Sequence, residues 1–281
     1  MCYNGAIIGI HWSDKENSYE KRLLAVILLC LSILSGCGSF DFTFITAERT
    51  DPTESTVLPT ETYAPIPESA FLDSFTDPDL NRIMEYRMYI PKDATEQMPL
   101  IVYLHGLGAV GNSALNSENP LIVKAREVYG DSFPFLILAP SSMGKEAWIS
   151  EEMPERVKNL VYYIADQYNV DRDKIIITGH SMGAAGTMRQ VELYGDLYSA
   201  AIPISMPDTS FVDVEKCLEM PIWGLAGSKE YPSFLHMQDL MDDIKNAGGN
   251  AKFTLLDGVT HEKKPWNPMF MMFCIGRSVS K

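Results

Sequence analysis

The stretch KIIITGHSMGAAG, Lys174 to Gly186, limits the fold of this chain more than any other. Three isoleucines and a threonine make a continuous β-branched run, the pattern of a strand buried on both faces. Ala184, Ala185 and Gly186 then suit a helix packed closely on a sheet. Between the two lies only Gly179–His180–Ser181–Met182–Gly183, too little chain for a loop. A strand passing straight into a helix turns sharply, and flanking side chains would collide there, so both flanking positions are glycine. The central residue projects from the turn. A serine hydroxyl is a weak nucleophile and must be lifted to where a base and a substrate can both meet it. Ser181 is therefore the candidate nucleophile.

The rest of the chain from residue 71 agrees with such a turn. Apolar, β-branched runs alternate with helical patterns, the order of a mostly parallel sheet covered on both faces. Strands are expected over Met84–Ile90, Leu100–His105, Phe135–Ala139, Lys174–Thr178, Ala200–Ile204, Ile222–Ala226 and Phe253–Leu256. Helices are expected over Leu121–Val128, Glu155–Tyr168, Met182–Tyr194 and Leu235–Asn246. In the second helix Val157, Leu160, Val161, Ile164 and Ala165 fall on one stripe, a core-facing pattern. The first strand, EYRMYIP, alternates and reads as an antiparallel edge strand. No internal repeat is present. Residues 205–221 form the longest connection late in the sheet, too short for a lid domain, so the site is expected to be fairly open.

A second glycine-rich turn follows an earlier strand: PLIVYLHGLG places His105–Gly106–Leu107–Gly108 at a strand end. A tetrahedral intermediate carries a developing oxyanion that two backbone N–H donors can hold. Met182, just after the nucleophile, would supply one and Leu107 the other.

The base must be a histidine that reaches the turn. His11 lies in a segment expected to be removed, and His105 belongs to the oxyanion loop. His180 adjoins Ser181 and points away from it, and His236 sits in an expected helix. His261 follows the last strand in FTLLDGVTH, where a loop can carry an imidazole over the C-terminal edge of the sheet. Open α/β sheets place their sites along that edge. None of the histidines shows the spacing of metal ligands, so no metal is expected, and the chemistry needs no cofactor. The third group, which holds the imidazole in one tautomer, should follow a late strand. Glu230, in PIWGLAGSKEYP, and Asp208, in ISMPDTS, both qualify.

Taken together, these residues resemble the α/β-hydrolase superfamily. More narrowly they resemble compact bacterial esterases, of the phospholipase/carboxylesterase, polyhydroxybutyrate depolymerase and feruloyl esterase kinds, with prolyl oligopeptidase as a more distant relative. The resemblance runs from residue 82 to the C-terminus. It is carried by EYRMYIPKD, PLIVYLHGLG, FLILAP, VDRDKIIITGHSMGAAGTMR, YSAAIPIS, PIWGLAGSKE and GVTHEKKPW. It implies Ser181 as nucleophile, His261 as base and a carboxylate at Glu230. The family pattern there is G-x-x-D. Glutamate has a longer arm, which keeps Asp208 as the alternative acid. The implied reaction is hydrolysis of a carboxylic ester through an acyl-enzyme, on an acyl or feruloyl group attached to something bulky such as a polysaccharide. Trp148 and Trp266 are candidate stacking surfaces for sugar or aryl groups. A serine peptidase of prolyl oligopeptidase type and a non-catalytic surface binding module are the alternatives. The first lacks the chain for a gating propeller, and the second would usually have lost a catalytic position.

The N-terminus reads as an address. Lys21–Arg22 precede LLAVILLCLSIL, a secretory apolar stretch too short to span a bilayer comfortably. It ends in Leu34–Ser35–Gly36–Cys37, which resembles the lipobox of bacterial lipoproteins. That resemblance implies a diacylated Cys37 and a membrane-anchored protein at the bacterial cell surface or in the periplasm. The expected organisation is a signal peptide over 1–36, a Thr/Pro/Glu-rich tether over 37–70 and a catalytic domain over 71–281. The net charge of −14 argues against a nucleic-acid partner, since a phosphate backbone needs a basic face. Five cysteines are too few for a disulfide-stapled scaffold, and Cys217 and Cys274 read as structural thiols.

Overall fold

The apolar runs pair into one sheet whose central strands are buried on both faces. In order along the chain the strands are β1 (Ala70–Asp77), β2 (Arg82–Tyr89), β3 (Met98–Leu104), β4 (Leu136–Pro140), β5 (Val170–His180), β6 (Ala200–Ile204), β7 (Ile222–Gly227) and β8 (Ala251–Leu256). Across the sheet the order is β1-β2-β4-β3-β5-β6-β7-β8. The neighbours from β4 to β8 run parallel, while β1 and β2 are antiparallel additions at one side. The computed structural model describes residues 70–92, 94, 97–107, 119–142, 148–168 and 170–262. The expected signal peptide, the lipobox with Cys37, the tether, Gly108, Trp266 and Cys274 lie outside those residues. No helix among the described residues is long and apolar enough to cross a membrane.

Among the described residues four α-helices connect the strands: α1 (Pro120–Tyr129), α2 (Met153–Gln167), α3 (Met182–Tyr194) and α4 (Ser233–Asn246). Helix α1 opens with proline at its first position, and the Asn119 side chain accepts from Leu121 N. Helix α2 buries the whole stripe expected of it, Val157, Leu160, Val161, Ile164 and Ala165. Residues of α2, α3 and α4 pack with Leu100, Val102, Leu104, Ile175 and Ile177 on one face of the sheet. Those of α1 pack with Ile101, Tyr103, Ile137, Ile176 and Ile202 on the other. The alternation along β3 and β5 divides the two cores, as the two-residue period of a strand requires.

One sequence expectation is corrected here. The strand EYRMYIP is antiparallel, but it is not the edge: β1 pairs with β2 along its whole length, from Ala70 opposite Tyr89 to Asp77 opposite Arg82. The stretch AFLDSFTD escapes a pattern search because it buries only Phe75 and Asp77. Phe75 stacks on Tyr163 of α2 at 4.9 Å. Asp77 closes the turn into β2 by accepting from Asp79 N and Leu80 N, and its other oxygen accepts from Asn159 Nδ2. An edge strand that fully buries only one ring and one carboxylate carries little periodicity.

Candidate active site

The C-terminal ends of β3, β5, β6 and β7 converge on Ser181. β5 ends at His180 and α3 begins at Met182, so Ser181 alone connects them. Its φ of 57° and ψ of −116° are a conformation that side-chain-bearing residues rarely adopt, at a cost of about 1–3 kcal/mol. Surrounding hydrogen bonds hold it there. Ser181 N donates to Ile204 O at 2.9 Å, and Ser181 O accepts from Ala184 N and Ala185 N. The flanking glycines are sterically required. A Cβ on Gly183 would lie 1.9 Å from Leu104 O, and one on Gly179 would lie 2.3 Å from Gly183 O. The backbones of β3, β5 and α3 therefore touch where the serine is raised.

His261, on the loop after β8, faces the serine. Its Nε2 lies 2.9 Å from Ser181 Oγ, and its Nδ1 lies 2.7 Å from Glu230 Oε2. An ionised carboxylate only accepts, so Nδ1 carries the proton. In the neutral ring Nε2 then holds a lone pair aimed at the serine hydroxyl, the arrangement a general base needs. The imidazole is 40 % exposed, whereas the Glu230 side chain is almost fully buried.

Glu230 follows β7 and folds back over its own turn. Its Oε1 accepts from Gly227 N at 2.8 Å and from Ser205 Oγ at 2.7 Å. With the bond from His261, this buried carboxylate accepts three hydrogen bonds. The backward curl absorbs the extra methylene of glutamate. Asp208 is not brought to the imidazole. It is exposed and accepts from Ser210 N, a bond that lowers its carboxyl below the ordinary carboxylate value.

The loop expected to hold the oxyanion lies close to the serine: a Cβ on Gly106 would be 3.6 Å from Ser181 Cβ. Met182 is the first residue of α3, where a helix has no internal acceptor for its N–H. Leu107 follows Gly106 with its side chain largely in solvent. His105 anchors the loop from beneath. Its Nε2 accepts from Ser142 N at 3.1 Å, so the neutral ring carries its proton on Nδ1, which donates to Gly106 O at 2.9 Å. Trp148 is corrected by the structure. It is buried at 1 % exposure, donates from Nε1 to His105 O, and presses against Gly186, whose added Cβ would meet Trp148 Cβ at 2.4 Å. It supports the site from inside the core and offers no surface for stacking.

Two contacts had no signal in the sequence. Ser205, directly after β6 and with φ 54°, holds the acid. His180, set aside as a base, reaches the base loop instead. Serine and histidine after a strand are too common to be read without coordinates. Among the described residues, no group of three or more histidine, cysteine, aspartate or glutamate side chains is placed to hold a metal ion.

No family model and no curated protein matches the chain. Solved structures do. A thermostable esterase is 26 % identical with a TM-score of 0.58, over 73 % of this chain and 60 % of that one, so the chain spans less than two thirds of that esterase's length. A feruloyl esterase module from Clostridium thermocellum, complexed with sinapinate, is 15 % identical with a TM-score of 0.57, over 76 % of this chain and 91 % of that one. A hyperthermophilic esterase from the archaeon Pyrobaculum calidifontis is 14 % identical with a TM-score of 0.59, over 77 % of this chain and 85 % of that one. A mostly parallel eight-stranded sheet covered by helices is what these proteins share with the chain, and its fold is that of the α/β-hydrolases.

Proposed function

We propose that this protein is a serine esterase that hydrolyses carboxylic esters through a covalent acyl-enzyme. Ser181 Oγ attacks the ester carbonyl while His261 Nε2 takes its proton. The resulting imidazolium shares a hydrogen bond with the buried Glu230 carboxylate. The oxyanion of the tetrahedral intermediate is held by the backbone N–H groups of Leu107 and Met182. Collapse expels the alcohol, which leaves with the proton from His261. A water molecule then attacks the acyl-serine, with His261 again as base, and the free acid departs. The observation that carries this reading is the line from Glu230 Oε2 to His261 to Ser181 Oγ, at 2.7 Å and 2.9 Å, ending on a strained serine.

The substrate class we take forward is an acyl or feruloyl ester of a bulky alcohol such as a polysaccharide. A base that is 40 % exposed suits a substrate too large to be enclosed, and one structural neighbour is a feruloyl esterase module. We propose that the enzyme is anchored to a membrane at the bacterial cell surface or in the periplasm through a lipid on Cys37. Mass spectrometry of the membrane fraction should find diacylated Cys37 as the N-terminal residue. A soluble product starting elsewhere would remove the anchor from the proposal.

A fluorophosphonate probe tests the chemistry. Labelling at Ser181, with turnover of short p-nitrophenyl esters and none of peptide anilides, is the expected result. Folded protein that takes no label would overturn the enzymatic reading and leave a binding module. Cleavage of the anilides in preference to the esters would make it a peptidase. A screen across acetyl, feruloyl and longer-chain esters then identifies the acyl group.

A further inference from the structure

We propose that His180 is a positioning residue for the base: it sets where the His261 imidazole stands relative to Ser181. The inference rests on the esterase reading above and adds a residue to it. His180 is buried, and its Nε2 lies 2.9 Å from the backbone oxygen of His261. A carbonyl oxygen can only accept, so that nitrogen carries a proton and donates it whatever the charge of the ring. The same commitment explains why His180 is no base itself, although it is the residue next to the nucleophile.

The bond spans 81 residues of sequence, and it ties the serine turn to the segment that carries the base. The two imidazoles tilt against each other with centroids 4.7 Å apart. On its other side His180 backs the oxyanion loop, since a Cβ on Gly106 would lie 3.4 Å from His180 Nδ1 and 3.3 Å from His180 O. One buried side chain thus meets the nucleophile turn, the base loop and the oxyanion glycine. The Glu230 bond acts on the ring of His261, fixing its tautomer and rotation. The His180 bond acts on the backbone, fixing how far the ring sits from the serine. A reacting group displaced by about 1 Å can lose roughly 100-fold in rate, so a backbone tether at this point bears directly on turnover.

Replacement of His180 by glutamine and by methionine separates this role from packing. Glutamine reaches as far and donates from its amide, whereas methionine reaches as far and donates nothing. With the full chain and p-nitrophenyl acetate, His180→Met should lower kcat and the rate of fluorophosphonate labelling by about 30- to 100-fold with little change in KM. His180→Gln should stay within about fivefold of the parent protein, as a retained donor would allow. Thermal unfolding of both variants reports their folding. If His180→Met does not fold, His180→Asn, whose amide falls short of the carbonyl, takes its place with the same expected loss. Parent-level kcat in the variant without a donor, or an equal loss in folded His180→Gln, overturns the inference. Parent protein that neither labels nor turns over esters overturns instead the esterase reading on which it rests.

Discussion

The two halves of the site are held by different forces. On the nucleophile side, backbone lies on backbone. Gly183 and Gly179 approach Leu104 and each other so closely that a single added carbon has nowhere to go. On the acid and base side, side chains do the holding. Ser205 Oγ and Gly227 N grip Glu230, Glu230 grips the His261 ring, and His180 grips the His261 backbone. Steric constraints of the first kind admit one residue type. Hydrogen bonds of the second kind can be made by many. Gly227 shows the same rule within the second half: an added Cβ there would lie 2.2 Å from Val259 O, and this glycine is the one that opens the G-x-x-D family pattern from which Glu230 departs.

The contrast can be tested from the largest effect downward. Removal of the hydroxyl in Ser181→Ala should reduce kcat by about 10⁴- to 10⁶-fold while leaving the fold intact, as measured by ester turnover and circular dichroism. Next comes Glu230→Gln, which replaces the acceptor for Nδ1–H with an amide and disturbs the tautomer of His261. A loss of about 10³- to 10⁴-fold in kcat is expected, against no change for the exposed Asp208→Asn. If only the aspartate variant loses turnover, the acid is wrongly assigned. Gly183→Ala should act on stability first, costing about 3–5 kcal/mol in denaturant unfolding because the backbone of β3 must move aside.

Ser205→Ala sharpens the other half. It removes one of two donors to Glu230 Oε1 and leaves Gly227 N in place. A loss of about tenfold in kcat is expected, the scale of one hydrogen bond to a charged group. A loss as large as that of Glu230→Gln would mean that the acid depends on this single bond, and the contrast between rigid and hydrogen-bonded halves would fail. The smallest effect concerns Cys217, a buried thiol. Burial first, and then the charges of Glu192 and Asp213, push its pKa up to about 12. Because the thiolate is the reactive form, iodoacetamide at pH 8 should leave Cys217 unmodified in the folded protein and alkylate it after denaturation.

The same division explains which elements could be read in advance. Strand β6 and helix α3 match their expected bounds, and the core stripe of α2 is buried residue for residue. β6 is buried at every position and α2 buries one stripe, so a continuous apolar run and a helical period show in the sequence. β1 did not show, because it is an edge in which only Phe75 and Asp77 are fully buried. Trp148 was misread for a related reason: an aromatic residue after a strand has the same letters whether it faces solvent or, as here, lies beneath the oxyanion loop against Gly186.

What the amino-acid sequence by itself determined was the parallel sheet, the raised serine and the pool of groups from which its partners had to come. A buried strand needs β-branched residues, and a sharp strand-to-helix turn needs glycine, so both leave a residue-type record. The tertiary structure alone put Glu230 rather than Asp208 beside His261, turned Trp148 inward, and gave Ser205 and His180 their partners. Those choices depend on which loop ends meet above the sheet, and hydrogen bonds between residues far apart in the chain leave no periodic mark along it.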